Sequence, residues 1–185
     1  MAAFIIRAWS LRRWNDTEAF RTHAPHSPSP YFTDASDPND TFFPYIQKMK
    51  ELGITSGCED GTKYCPWAVV ENYQIAVFVA RARYLADENC SSPCGNDNFS
   101  YSSVPYFADV PSGHQYFKWV QRLADLEAVS PLISVGGGCP VGSYCPFSIS
   151  PYYAVTPRSQ MATDVIAGIV GWAYTQNYTV MRIVP

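Results

Sequence analysis

Charge is scarce in this chain, and what there is never gathers. Of its 185 residues 16% are charged, the net charge is −3, and no block of Lys or Arg occurs. A nucleic-acid partner, which needs a concentrated basic face, is not expected. Histidine is scarcer still: His23, His26 and His114 share no spacing with a Ser, Cys or carboxylate that would make a catalytic triad. No apolar run reaches the roughly 20 residues of a membrane-spanning helix, residues 165–174 coming closest. Gly136-Gly137-Gly138 follows Val135 but leads into Cys139-Pro140 rather than a helix, so it fails as a phosphate cradle. The first eight residues lack a basic n-region and carry Arg7 inside the apolar stretch, unlike a secretory signal. No enzymatic activity, cofactor, resident metal or membrane span is therefore expected.

Aromatic residues at 15%, with 15 prolines, describe an ordered, loop-rich protein. Its organising feature is an internal repeat. Tyr31-Phe32-Thr33-Asp34 opens a stretch that runs through Phe43-Pro44-Tyr45-Ile46-Gln47-Lys48-Met49 to Gly57-Cys58, then Tyr64-Cys65-Pro66, and closes on Gln74-Ile75-Ala76. About 75 residues later Tyr106-Phe107-Ala108-Asp109 opens a second copy. It runs through Phe117-Lys118-Trp119-Val120-Gln121-Arg122-Leu123 to Cys139, Tyr144-Cys145-Pro146 and Gln160-Met161-Ala162. Met1-Ala2-Ala3-Phe4 matches the closing phrase alone, so the chain is expected to begin inside a repeat. A unit this small cannot bury its own apolar face and stacks on copies of itself.

The six cysteines form three close pairs, Cys58/Cys65, Cys90/Cys94 and Cys139/Cys145, two of them at equivalent places in the two copies. Neither the spacing nor the histidine content suits zinc. Three local disulfides and an oxidising, extracellular setting are expected. Five of the seven Asn residues (Asn15, Asn39, Asn89, Asn98 and Asn177) lie in N-x-[ST] sequons. They read as glycan acceptors, or as residues that turns favour anyway.

Periodicity predicts a mainly α protein with long loops. Residues 1–20 hold the closing helix of the incomplete first repeat, apolar at Phe4, Ile5, Ala8 and Leu11. Residues 21–30, with Pro25, Pro28 and Pro30, read as an extended linker. Repeat A covers 31–86. Its helix 43–52 puts Phe43, Ile46, Met49 and Leu52 on one stripe and stops at Gly53-Ile54, and its helix 72–85 turns Ile75, Phe78, Val79 and Ala82 inward. Residues 87–105 are an insertion closed by Cys90/Cys94. Repeat B covers 106–172, with Phe117, Val120, Leu123 and Leu126 as its first stripe. Residues 173–185 form a tail with a strand at 178–184. Gln74 and Gln160 sit where a capping-box residue reaches back to a free amide. Asp34 and Asp109 are placed to cap turns, and Phe32 and Phe107 to plug the core.

The aromatic-Asp openings, Tyr45-Ile46-Gln47-Lys48, Glu51-Leu52-Gly53-Ile54-Thr55-Ser56-Gly57 and the Gln-[Ile/Met]-Ala helices together resemble the S-layer homology repeat of bacterial surface proteins. The Gly-Cys…Tyr-Cys-Pro form resembles a disulfide-bearing subset, and the likeness spans about two thirds of the chain. It implies a non-catalytic module in which three helix–loop–helix repeats build a pseudo-trimeric helical bundle. It also implies inter-repeat grooves that bind a pyruvylated wall polysaccharide through Thr-Arg-Ala-Glu at the start of each second helix. Repeat B keeps Arg158 and Gln160 of that signature. Repeat A has Asn72 in place of the arginine, and an amide brings no charge and fewer donors than a guanidinium fork. Trp67, in a loop beside Pro66, is a further candidate for sugar contact.

The function expected is that of a non-enzymatic extracellular structural protein of the bacterial cell surface, self-assembling as a fibre or layer subunit. The alternative is an anchor of the S-layer homology type that binds cell-wall polysaccharide. The partners are then copies of the chain, wall glycan, or both. Phe4, Ile5 and Ile6 need apolar cover, from their own chain or from a neighbour. Tyr178 and Val180 sit on a strand able to augment another sheet edge. These five residues are the candidates for subunit contact.

Overall fold

A computed structural model of the chain describes residues 1–87, 99–107, 109–125 and 169. Among them five helices follow in order: α1 Ala2–Trp14, α2 Phe20–His23, α3 Phe43–Glu51, α4 Asn72–Asp87 and α5 Phe117–Asp125. The protein is mainly helical, and among the described residues extended pairing is limited to an isolated bridge between Cys58 and Lys63. The strand read at 178–184 lies outside the described residues.

Each helix is stopped or started by local chemistry. α1 has no side-chain cap, but Arg12 and Arg13 in its last turn complement the helix dipole. Asn15, left-handed at φ 59°, closes it with an N–H to the Leu11 carbonyl at 2.7 Å. α3 ends as read, in a Schellman motif: Ile54 N–H bonds the Met49 carbonyl and Gly53 N–H that of Lys50, both at 2.9 Å. Gly53, at φ 68°, supplies the left-handed residue this motif requires. The reach-back expected at the start of α4 also forms, with Gln74 Oε1 accepting from the Glu71 amide at 2.9 Å. One expectation is corrected. Residues 21–23 are not extended but complete the short α2, which ends at Ala24 because Pro25 disfavours a helical residue before it.

α1 packs against both α3 and α4, and α4 against α5. Ala2, Ile5, Ile6, Ala8 and Leu11 of α1 are buried, and so are Ala76, Val79, Ala80, Ala82 and Leu85, which occupy the matching positions of α4. The two helices therefore present the same face to the core. Ile5 and Ile6 are completely enclosed by their own chain, and Phe4 is half-buried against the same cluster. The choice left open by the sequence is thereby resolved, and Ile5 and Ile6 are corrected from subunit contacts to core residues.

A second correspondence lies in hydrogen bonds that local periodicity does not encode. Ser27 donates its amide to the Glu51 carboxylate, and its hydroxyl bonds the Ser29 N–H and carbonyl at 3.1 and 3.4 Å. The Gln47 amide then donates to the Ser29 carbonyl at 2.8 Å and accepts from the Tyr31 N–H at 3.2 Å. The same strap is built again further along. Ser102 donates to Asp125 at 2.9 Å and its hydroxyl bonds both backbone groups of Val104 at 3.2 Å. Gln121 donates to the Val104 carbonyl at 2.5 Å and accepts from the Tyr106 N–H at 3.1 Å. Both glutamines are fully buried. A buried amide is tolerated only when its donors and acceptors are matched, so each strap is fixed to its helix in one register. The shared structure reaches back to Ser27 and Ser102, into segments read as linker and insertion.

Candidate functional site

The segments after the straps converge on two junctions, where a closing helix meets the next opening helix. At the α1–α3 junction the Arg7 guanidinium lies 5.1 Å from the centre of the Tyr45 ring. At α4–α5 the matching residues are Arg81 and Trp119, 5.6 Å apart. The second junction is rich in aromatic rings. Tyr73, in the first turn of α4, stacks on Tyr116 at 4.1 Å and 16°, and Tyr116 lies 6.1 Å from Trp119. His114 flanks Tyr116 at 5.9 Å, and Lys118 sets its ammonium 4.5 Å from the Trp119 ring centre. A hydrogen bond to Glu71, aided by burial, pushes the Tyr73 phenol up to about 12, so it stays protonated and polar but uncharged. Tyr73, Tyr116 and Trp119 are all half-buried. Flat aromatic faces edged by cations can stack on a sugar ring or receive an anionic chain.

The first junction is held differently. Glu18 accepts Arg7 Nε and the Tyr45 hydroxyl on one oxygen, at 2.7 and 2.8 Å, and Arg21 Nε on the other at 2.7 Å. Burial alone would push the Glu18 carboxyl up, but the bonds from Arg21, Arg7 and Tyr45 outweigh it and hold the group below its ordinary range.

Between α3 and α4 the chain forms a pinned loop. Cys58 and Cys65 are joined in a disulfide, as read from their spacing. The Asp34 carboxylate reaches across and accepts the Tyr64 and Cys65 amides, both at 2.8 Å. Its slight burial pushes its pKa up, yet those two amides outweigh that and lower it. Asp34 is thus a long-range clip rather than a local turn cap. Gly57 (φ 92°) packs so tightly that a Cβ would stand 2.6 Å from the Lys63 carbonyl and 2.7 Å from the Phe32 ring. Phe32 is fully buried there, a core plug as expected. Trp67, at the outer tip, is 96% exposed.

The remaining sequence candidates distribute plainly. Asn72 opens α4. Asn15 and Asn39 are exposed, as glycan acceptors would have to be. Arg158, Gln160, Asn89, Asn98, Asn177, Tyr178, Val180 and the cysteines Cys90, Cys94, Cys139 and Cys145 lie outside the described residues. Among the described residues no group of three His, Cys, Asp or Glu converges on one point, and no helix is long and apolar enough to cross a membrane. The Arg–aromatic pairs at the two junctions were missed from sequence. Their only signal was that Arg7 and Arg81, like Tyr45 and Trp119, hold matching places in the repeat. Comparison with protein-family models, curated proteins and solved structures gave no match.

Proposed function

We propose that this chain is a non-enzymatic structural module of the bacterial cell surface, built from repeats of the S-layer homology type around a pseudo-trimeric helical bundle. The observation that carries the reading is the strap built twice, from Ser27 to Glu51 and from Ser102 to Asp125. Matching burial of α1 and α4 supports two equivalent closing helices in one bundle. The Cys58–Cys65 disulfide fits an oxidising, extracellular setting. Self-assembly as a fibre or layer subunit was motivated by an orphaned α1. With α1 covered in its own chain, that motive is weaker, and assembly would have to use other surfaces.

The anchor reading is favoured by the second junction, where Tyr73, Tyr116 and Trp119 lie beside Arg81 and Lys118. Such a surface suits a wall polysaccharide. Co-sedimentation of the chain with purified bacterial wall polysaccharide tests attachment, and sedimentation velocity over a hundredfold concentration range tests self-assembly. Binding that Tyr116→Ala abolishes, in a chain that stays monomeric, is the expected result. A chain that neither binds nor associates contradicts the surface-module reading.

A further inference from the structure

Tyr73 and Tyr116 are far apart in sequence, yet their rings stack with centres 4.1 Å apart and planes 16° from parallel. Among the described residues this is where one tyrosine ring meets another; Tyr45, Tyr64, Tyr84 and Tyr101 each pair with a phenylalanine. The packing of α4 on α5 creates the contact, since Tyr73 lies in the first turn of α4 and Tyr116 directly precedes α5. In the first copy the place of Tyr116 is taken by Phe42, which has no hydroxyl. The two phenols also face the same way. The Tyr73 hydroxyl interacts with both the Glu71 carboxylate and the Tyr116 hydroxyl. The ring carbons that flank the hydroxyls, the Cε atoms, therefore lie against each other across the stack.

That arrangement suits oxidative coupling. A phenol gives up an electron most readily when a base takes its proton, and Glu71 is such a base for Tyr73. The neighbouring Trp119 is a poor resting place for the oxidation. Arg81 and Lys118 set cations 5.6 and 4.5 Å from its ring centre and oppose a positive charge there. Its Nε1 is buried without an acceptor among the described residues, so the indole cannot shed its proton. An oxidising equivalent that reaches Trp119 passes to Tyr116, whose ring centre is 6.1 Å away. Both tyrosines are half-buried, and the stack holds two phenoxyl radicals together before either meets another chain.

We propose that Tyr73 and Tyr116 are a site of dityrosine formation, a covalent staple between the closing helix of repeat A and the opening helix of repeat B, made by a haem peroxidase and hydrogen peroxide acting on the folded chain. Each phenol loses one electron and one proton; the peroxide takes up both electrons and both protons and leaves as two waters. A Cε–Cε bond forms, and the hydrogen displaced from each joined carbon moves to its phenol oxygen and restores the hydroxyl. The site is independent of polysaccharide binding and belongs to the same oxidising setting as the Cys58–Cys65 disulfide.

The test treats the whole chain, dilute enough to stay monomeric, with a haem peroxidase and one equivalent of hydrogen peroxide. Dityrosine fluorescence appears, the monomer loses two hydrogens in mass, and peptide mapping joins Tyr73 to Tyr116. Tyr73→Phe and Tyr116→Phe, which keep both rings, each lower the yield about tenfold, and Glu71→Gln slows coupling several-fold. Melts of the untreated variants verify folding, and closing the loop raises the melting temperature of the coupled chain by roughly 5–15 °C. Absence of dityrosine overturns the proposal. So do phenylalanine variants that couple like the parent, or a crosslink mapped mainly to the exposed Tyr31, Tyr101 or Tyr106. A Glu71→Gln chain that couples at the parental rate refutes the part given to the carboxylate, and a coupled chain that melts no higher than the untreated one refutes the staple.

Discussion

Replacing Gln47 by Met removes the amide that fixes the first strap while keeping side-chain length, approximate volume and helix propensity. The variant loses two hydrogen bonds, to the Ser29 carbonyl at 2.8 Å and from the Tyr31 amide at 3.2 Å. Each is worth about 1 kcal/mol net, and a backbone group left without a partner in a partly buried place adds about another 1 kcal/mol. The expected destabilisation is about 2–3 kcal/mol, or roughly 4–12 °C in melting temperature for a chain of this size. Gln121→Met should cost at least as much, since its amide makes the two corresponding bonds and a third to the Ser102 carbonyl at 3.2 Å. The two strap sites share no partner, so the double variant should show the sum to within about 0.5 kcal/mol. Urea unfolding followed by circular dichroism measures all three, with the exposed Gln115→Met as control. Losses below about 0.5 kcal/mol at both glutamines would refute the claim that buried amides hold the straps.

Three further outcomes follow from the loop and the junction. Gly57→Ala must relieve a 2.6 Å contact with the Lys63 carbonyl and a 2.7 Å contact with Phe32 at a left-handed φ; a loss of about 2–4 kcal/mol is expected in the same unfolding assay. Glu18 and Asp34 both have lowered folded-state pKa values. Their contribution is present above the ordinary carboxylate pKa of about 4 and disappears as the pH falls through the lower folded values. Stability should therefore decline on acidification below about pH 4, and the Glu18→Gln/Asp34→Asn variant should show a shallower decline over that window. Trp67→Ala should change stability by less than about 0.5 kcal/mol, because the ring is 96% exposed. Iodide should also quench a larger share of fluorescence in the parent than in this variant; equal quenching would place Trp67 in the core.

What could be read beforehand was whatever depends on near neighbours in sequence. The stripe Phe43, Ile46, Met49 and Leu52 is buried throughout, the Gly53 stop forms the expected motif, and Gln74 reaches back to Glu71. Closely spaced cysteines gave Cys58–Cys65 for the same reason. Features that depend on partners far along the chain were not legible. Gln47 and Gln121 look like ordinary polar residues of an amphipathic helix until the strap is seen to fold back over them. Asp34 looks like a turn residue, because its partners Tyr64 and Cys65 lie in another loop. α1 was read from Phe4, Ile5, Ala8 and Leu11, yet Ile6 and Trp9 are buried and Phe4 only half so. Contact with α3 as well as α4 widens the covered face beyond a single stripe. The Arg7–Glu18–Arg21 group needed α2, whose helical turn was hidden by the prolines that follow it.

Whether α1 is sheltered by its own chain decides most about how this protein works. Hydrogen exchange by mass spectrometry on the amides of residues 5–11, measured from low to high micromolar concentration, answers it directly. The account predicts strong protection that does not change with dilution, since Ile5 and Ile6 are enclosed within one chain. Protection that is lost on dilution, or never present, would contradict it and return α1 to the role of a surface awaiting a neighbouring copy.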